Sequence, residues 1–210
     1  MDFRNVTGIG YDTQHGTIEE CLLHGGGASG VVYSLVGLDA SLSMRIKDSI
    51  FYYAQRAITG MAPGSYCNRV IIEGCLFQYQ SVAPIFNSGE SWLVQNNVFE
   101  LMLNGSGGDG GVGAYAHTVN DCPGHGVSFI GNWFGDGVEG QGGTWIKWSG
   151  TGLVVKGNLF GMTGGTSTAT AATAIELTNN GVVGVRISEN IWYRAGTAAT
   201  PTIAIQFGTT

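Results

Sequence analysis

An eight-residue word recurs along this chain, and it limits the fold more than any other feature. Its clearest copy, residues 185–192, reads VRISENIW; it returns as LVVKGNLF at 153–160, VSFIGNWF at 127–134, WLVQNNVF at 92–99 and VIIEGCLF at 70–77. Looser copies are MRIKDSIF at 44–51 and GTIEECLL at 16–23, seven in all. Slot three is always apolar (Ile18, Ile46, Ile72, Val94, Phe129, Val155, Ile187), and so is slot eight (Leu23, Phe51, Phe77, Phe99, Phe134, Phe160, Trp192). Slot six is small and polar: Cys21, Ser49, Cys75, Asn97, Asn132, Asn158 and Asn190. Successive slot-six residues lie 22 to 35 positions apart, the interval of solenoids, propellers and arrays.

The word reads as two strands around a turn. Apolar, any, apolar is a strand of period two, and slot six is expected to make a tight turn because Asn adopts the left-handed conformation at little cost. The next apolar residue starts a second strand. A third short strand per coil is expected at 84–87, 144–148, 174–177 and 203–206. Three strands per turn, stacked in register, make an all-β, single-stranded parallel β-helix, right-handed as parallel crossovers are. Seven coils would run roughly 34 Å at ~4.8 Å per coil. The whole of 1–210 reads as one such domain. Neither end carries a polar cap, so the expectation is a piece of a longer chain or a subunit whose ends partners cover. Residues 1–15 fit a first, frayed coil or the continuation of one upstream.

The I-x-x-N-x-F core of this word resembles the repeat of the pectate-lyase-like right-handed β-helix superfamily, most closely that of bacteriophage tailspikes. The resemblance covers roughly residues 16–207. It implies the β-helix fold, and it implies as candidate functions a trimeric virion surface domain contacting bacterial surface polysaccharide, a monomeric polysaccharide lyase or glycoside hydrolase, or a structural part of a fibre. A fold of this kind hosts many activities, so function must come from the site. Gly124-His125-Gly126 and Arg45-Ile46-Lys47 are similar to elements of polygalacturonases, but they stand in the reverse order. The aspartate motifs that would activate water and protonate the leaving group are missing.

The net charge of −6 argues against nucleic acid and anionic membrane surfaces as partners. The first residues, MDFRNVTGIGYD, lack the basic and apolar regions of a secretory signal, so export by that route is not expected; the tailspike resemblance implies a virion assembled in the host cytoplasm, with an extracellular protein as the alternative. Cys21 and Cys75 share one slot two coils apart, about 9.6 Å at the ~4.8 Å strand spacing, beyond disulfide reach. Cys67 and Cys122 are likewise expected as free thiols. No cofactor and no metal is expected, since the single GSGGDGG tract offers too few oxygen ligands for calcium.

Three groups of residues are candidates for function. Slot seven should face water, yet holds Leu22, Ile50, Leu76, Val98, Trp133, Leu159 and Ile191, an apolar row that reads as a homotrimer interface or as a surface covered by the chain's own loops. Glycoside hydrolysis needs two carboxyl groups roughly 5 to 9.5 Å apart. Asp136 and Glu139, with His125, are the catalytic candidates, against the alternative that they are solvated loop residues. Tyr115, His117, Trp145, Lys147, Trp148 and Glu176 lie on or near third strands, the sheet that forms the saccharide groove in the resembling superfamily. They would supply stacking surfaces and hydrogen bonds, with only one of the two tryptophans facing out.

Overall fold

The computed structural model describes residues 2–4, 9–11, 15–25, 34–38, 42–60, 67–86, 89–102, 114–115, 125–138, 144–148, 150–161, 173–177, 182–193 and 203–207. Every pairing between the described strands is parallel, and the chain is a right-handed parallel β-helix. The first strands of the seven coils form one sheet, from Gly16–Glu19 through Met44–Lys47, Ile71–Glu73, Leu93–Gln95, His125–Ile130 and Thr151–Lys156 to Arg186–Ser188. The second and third strands form a larger sheet, joined because Ile50–Gly60 and Leu76–Phe86 each run through both faces. Third strands stand at Ser34–Leu38, Ala114–Tyr115, Thr144–Trp148, Thr173–Leu177 and Ile203–Phe207. Asp2–Arg4 pairs with Leu22–His24, and Ile9–Tyr11 pairs with Ser34–Leu38, so the first residues belong to a coil preceding the first word.

The word repeats because its inward slots build the core. Phe51, Phe77, Phe99, Phe134 and Phe160 are buried and stack face to face with centroids 4.7 to 4.9 Å apart, one ring per coil. Such offset stacks add to the area each ring removes from water. Beside them runs the slot-six column. Asn97, Asn132 and Asn158 each donate from Nδ2 to the Oδ1 of the asparagine one coil on, at 2.9 to 3.1 Å. Each also donates Nδ2 to a carbonyl of the preceding coil, that of Ile72, Val94 or Phe129. The expected amide ladder is therefore present. In the earlier coils the column thins to Cys21 N donating to the Ser49 hydroxyl and Cys75 N donating to Asn97 Oδ1.

The turn itself differs from expectation. The left-handed residue is slot five, not slot six: Glu20, Asp48, Gly74, Asn96, Gly131, Gly157 and Glu189 all have positive φ. Slot six turns inward instead, because its amide satisfies buried backbone groups that the corner leaves open. A second left-handed corner precedes nearly every word, at Ser43, Arg69, Ser91, Gly126, Gly152 and Gly184. This explains Gly126 of the GHG tripeptide as a corner residue. Cys21, Cys67 and Cys75 are free thiols, and burial pushes the Cys75 thiol up to about 12. Cys122 lies outside the described residues.

Candidate functional site

The three faces have different exteriors. On the first face, outward residues pair across coils. Arg45 Nε donates to Glu73 Oε1 at 2.8 Å, Gln95 Nε2 donates to Glu73 Oε2 at 2.8 Å, Lys47 pairs with Glu19, and Lys156 Nζ lies 3.5 Å from Glu189. Hydrogen bonds from Gln95 and then Arg45 hold the Glu73 carboxyl below its ordinary range. The hydrogen bond to Glu19 raises the Lys47 ammonium. The Arg45-Ile46-Lys47 element is thus part of this ion-paired surface.

The slot-seven row forms as the word implies. Leu22, Ile50, Leu76, Val98, Trp133, Leu159 and Ile191 are successive Cα partners along the second face. None is buried; Ile50 is 37 % exposed and Ile191 62 %. Trp133 departs from the row. A Cβ built on Gly135 would come within 2.4 to 2.8 Å of its indole Nε1, Cε2 and Cζ2, so the side chain lies down along the strand over Gly135.

Sequence reading missed the next outward row, slot nine. His24, Tyr52, Gln78, Glu100 and Gly135 are successive Cα partners, and the row resumes with Gly161 paired to Tyr193. His24 and Tyr52 are half-buried and cluster with Tyr53 and Tyr79, whose backbones are left-handed at φ 49° and 59°. That conformation is an outlier for a bulky residue. Gly25 is glycine here because a Cβ would meet the Tyr53 carbonyl oxygen at 1.8 Å. Gln78 donates from Nε2 to Glu100 Oε1. Over Gly161 the Tyr193 hydroxyl would stand 2.6 Å from a Cβ, so this ring too covers a glycine. The signal open to a sequence reader was the recurrence of glycine two positions after slot seven in the two coils flanked by Trp133 and Tyr193.

The third-face candidates divide. Tyr115, Lys147, Glu176 and Gln206 are Cα partners in one straight row, with Lys147 and Glu176 half-exposed. The tryptophans do not serve as an exposed platform. Trp145 is 2 % and Trp148 0 % exposed, where one outward ring was expected. Trp145 packs its ring 5.7 Å from Phe134 in the core, so strict alternation fails at this strand. His117 lies outside the described residues.

Of the catalytic candidates, Asp136 and His125 lie within the described residues. Asp136 sits in the strand Trp133–Val138, while Glu139 lies outside the described residues. His125 opens the strand His125–Ile130 at the corner entering the first face, whereas Asp136 lies near the end of the second face. The imidazole is exposed, and its Nδ1 hydrogen-bonds with the Thr151 hydroxyl.

No family model matches the sequence, and no curated protein does. Among solved structures, the tailspike protein of E. coli bacteriophage HK620 in complex with a hexasaccharide is 14% identical, with a TM-score of 0.60 over 91% of this chain and 41% of the tailspike. A pentasaccharide complex of the same tailspike gives 12% identity and a TM-score of 0.53 over 98% of this chain and 40% of that one. Endopolygalacturonase I from Stereum purpureum, complexed with two galacturonate, gives 10% identity and a TM-score of 0.48 over 93% and 69%. The chain spans about two fifths of the tailspike's length. In fold, then, this chain is a right-handed parallel β-helix similar to that of the phage tailspike.

Proposed function

We propose that the chain is a β-helical domain of a tailspike-like virion surface protein, and that it binds bacterial surface polysaccharide. The observation that carries this is the shared fold over nine tenths of the chain with a tailspike whose structure holds a hexasaccharide. A second-face exterior of aliphatic, aromatic and hydrogen-bonding groups supports it, since saccharides present apolar ring faces and hydroxyls together. Association as a homotrimer along the aliphatic residues of the slot-seven row, from which the Trp133 side chain departs, is part of the proposal, as is assembly in the host cytoplasm onto a virion. Cleavage of the polysaccharide would fall to Asp136 and Glu139.

An array of neutral and acidic bacterial surface oligosaccharides tests binding directly. Retention of at least one oligosaccharide supports the proposal, and retention of none sinks it. Light scattering tests assembly: a solution mass about three times 22.0 kDa, reduced by Leu76→Asp, is expected. A wild-type monomer at every concentration removes the trimer. Release of reducing ends from the retained oligosaccharide, lost in Asp136→Asn with Glu139→Gln, would add cleavage to binding.

A further inference from the structure

The ninth row of the second face brings together features outside the catalytic and glycan-binding candidates read from the sequence. Two coils in succession place glycine there, Gly135 and Gly161, directly after the paired Phe134 and Phe160. In each case an aromatic side chain fills the space a Cβ would take, Trp133 over Gly135 and Tyr193 over Gly161. Both aromatic residues are half-exposed. An indole held down against the sheet by a missing side chain is fixed in orientation before any ligand arrives, which lowers the ordering cost of binding.

The neighbour of Gly135 in the row is Glu100. One of its carboxylate oxygens accepts from Gln78 Nε2, which fixes the group in place. Its other oxygen has no hydrogen-bond partner among the described residues, and the Glu100 backbone lies one coil, roughly 4.8 Å of strand spacing, from Gly135, which the indole covers. An apolar ring beside an oriented acceptor matches a pyranose, with its C–H face and its hydroxyls. From Gln78 to Tyr193 the row spans four coil spacings, roughly 19 Å, room for several sugar residues. A carboxylate at the centre and a net charge of −6 disfavour an acidic polymer.

We propose that this row is the binding track for a neutral oligosaccharide, with Trp133 and Tyr193 as stacking surfaces and Glu100 as hydroxyl acceptor. The assignment rests on the polysaccharide-binding reading above and moves the site from the third face to the second. Gly135 and Gly161 then act as positioning residues, since their missing side chains let the rings lie down.

The test uses the same array of neutral and uronic-acid-containing oligosaccharides of five or six residues, with thermal melts to confirm folding. Trp133→Ala and Glu100→Gln are each expected to weaken binding of the retained neutral oligosaccharide by about tenfold or more. Gly135→Ala keeps the indole but displaces it, because its new Cβ would meet the ring within 2.4 Å, and it is expected to weaken binding too. If an oligosaccharide is retained and these three variants bind it as wild type does while Lys147→Ala does not, the track is wrong and the polysaccharide-binding reading stands. Retention of only acidic oligosaccharides overturns the neutral specificity. Retention of none overturns both readings. A fall in solution mass for Trp133→Ala makes the row a contact with a second copy of the chain and overturns the track.

Discussion

The first and second faces stand on one core and meet at one turn, yet their exteriors differ in kind. On the first face charged groups pair across coils: Glu73 is held by Arg45 and Gln95, and Lys47 by Glu19. On the second face an apolar row runs beside a mixed row of aromatic, hydrogen-bonding and glycine residues, and the strained Tyr53 and Tyr79 lie at its edge. Exterior side chains do not hold the β-helix together, so each face is free to serve a different end. A face whose polar groups are already paired has little left for a ligand, while an unpaired apolar face marks recognition.

The comparison assumes that the shared core carries stability for both faces, and Phe134→Ala strikes at that most strongly. Its ring lies between Phe99 and Phe160, and its loss should cost about 3 to 5 kcal/mol in urea unfolding. Loss of only one face's strands, seen as two unfolding transitions, would break the idea of a common core. Next comes the turn that joins the faces. Asn132→Ala removes two donated bonds and the acceptor for Asn97 N and Nδ2, and should cost about 3 kcal/mol, against about 1 kcal/mol for Ser49→Ala in the thinner part of the column. Equal losses would mean that the asparagines add nothing beyond a small polar side chain.

Smaller effects belong to the exteriors. Ile191→Asp, at an exposed position, should change unfolding free energy by no more than about 0.5 kcal/mol while lowering the solution mass of any assembly. The smallest effect is on the first face. The Glu73 carboxyl lies below its ordinary 4.5, so its stabilisation is present above that pH and fades as pH falls through the lower, folded value. Glu73→Gln should flatten that part of the acid unfolding curve, and a curve unchanged by the substitution would show that the pair is only a surface arrangement.

What could be read from sequence follows from the same division. Slots three and eight recur because every coil must fill the same interior, and that regularity made the β-helix, its strand order and the asparagine column legible. The ninth row was hard to read, because His24, Tyr52, Gln78, Glu100, Gly135, Gly161 and Tyr193 keep no one residue type along the row, and only its two glycines recur in successive coils. The slot-five corner was only partly legible: Gly74, Asn96, Gly131 and Gly157 are the residue types a reader looks for there, but Glu20, Asp48 and Glu189 reach the same left-handed conformation. At Trp145 a local departure from alternation carried the ring into the core, something a period-two pattern does not contain.

The asparagine column also works as a length standard. Coils that differ by as much as nine residues in contour, 35 against 26, each contribute one rung at 2.9 to 3.1 Å, so added chain leaves the pitch alone. Distances measured along the axis are thereby insulated from insertion and deletion in the loops. Whatever lies along the second face therefore meets a fixed comb of teeth, and the loops around it can be lengthened, shortened or exchanged without shifting the teeth out of step.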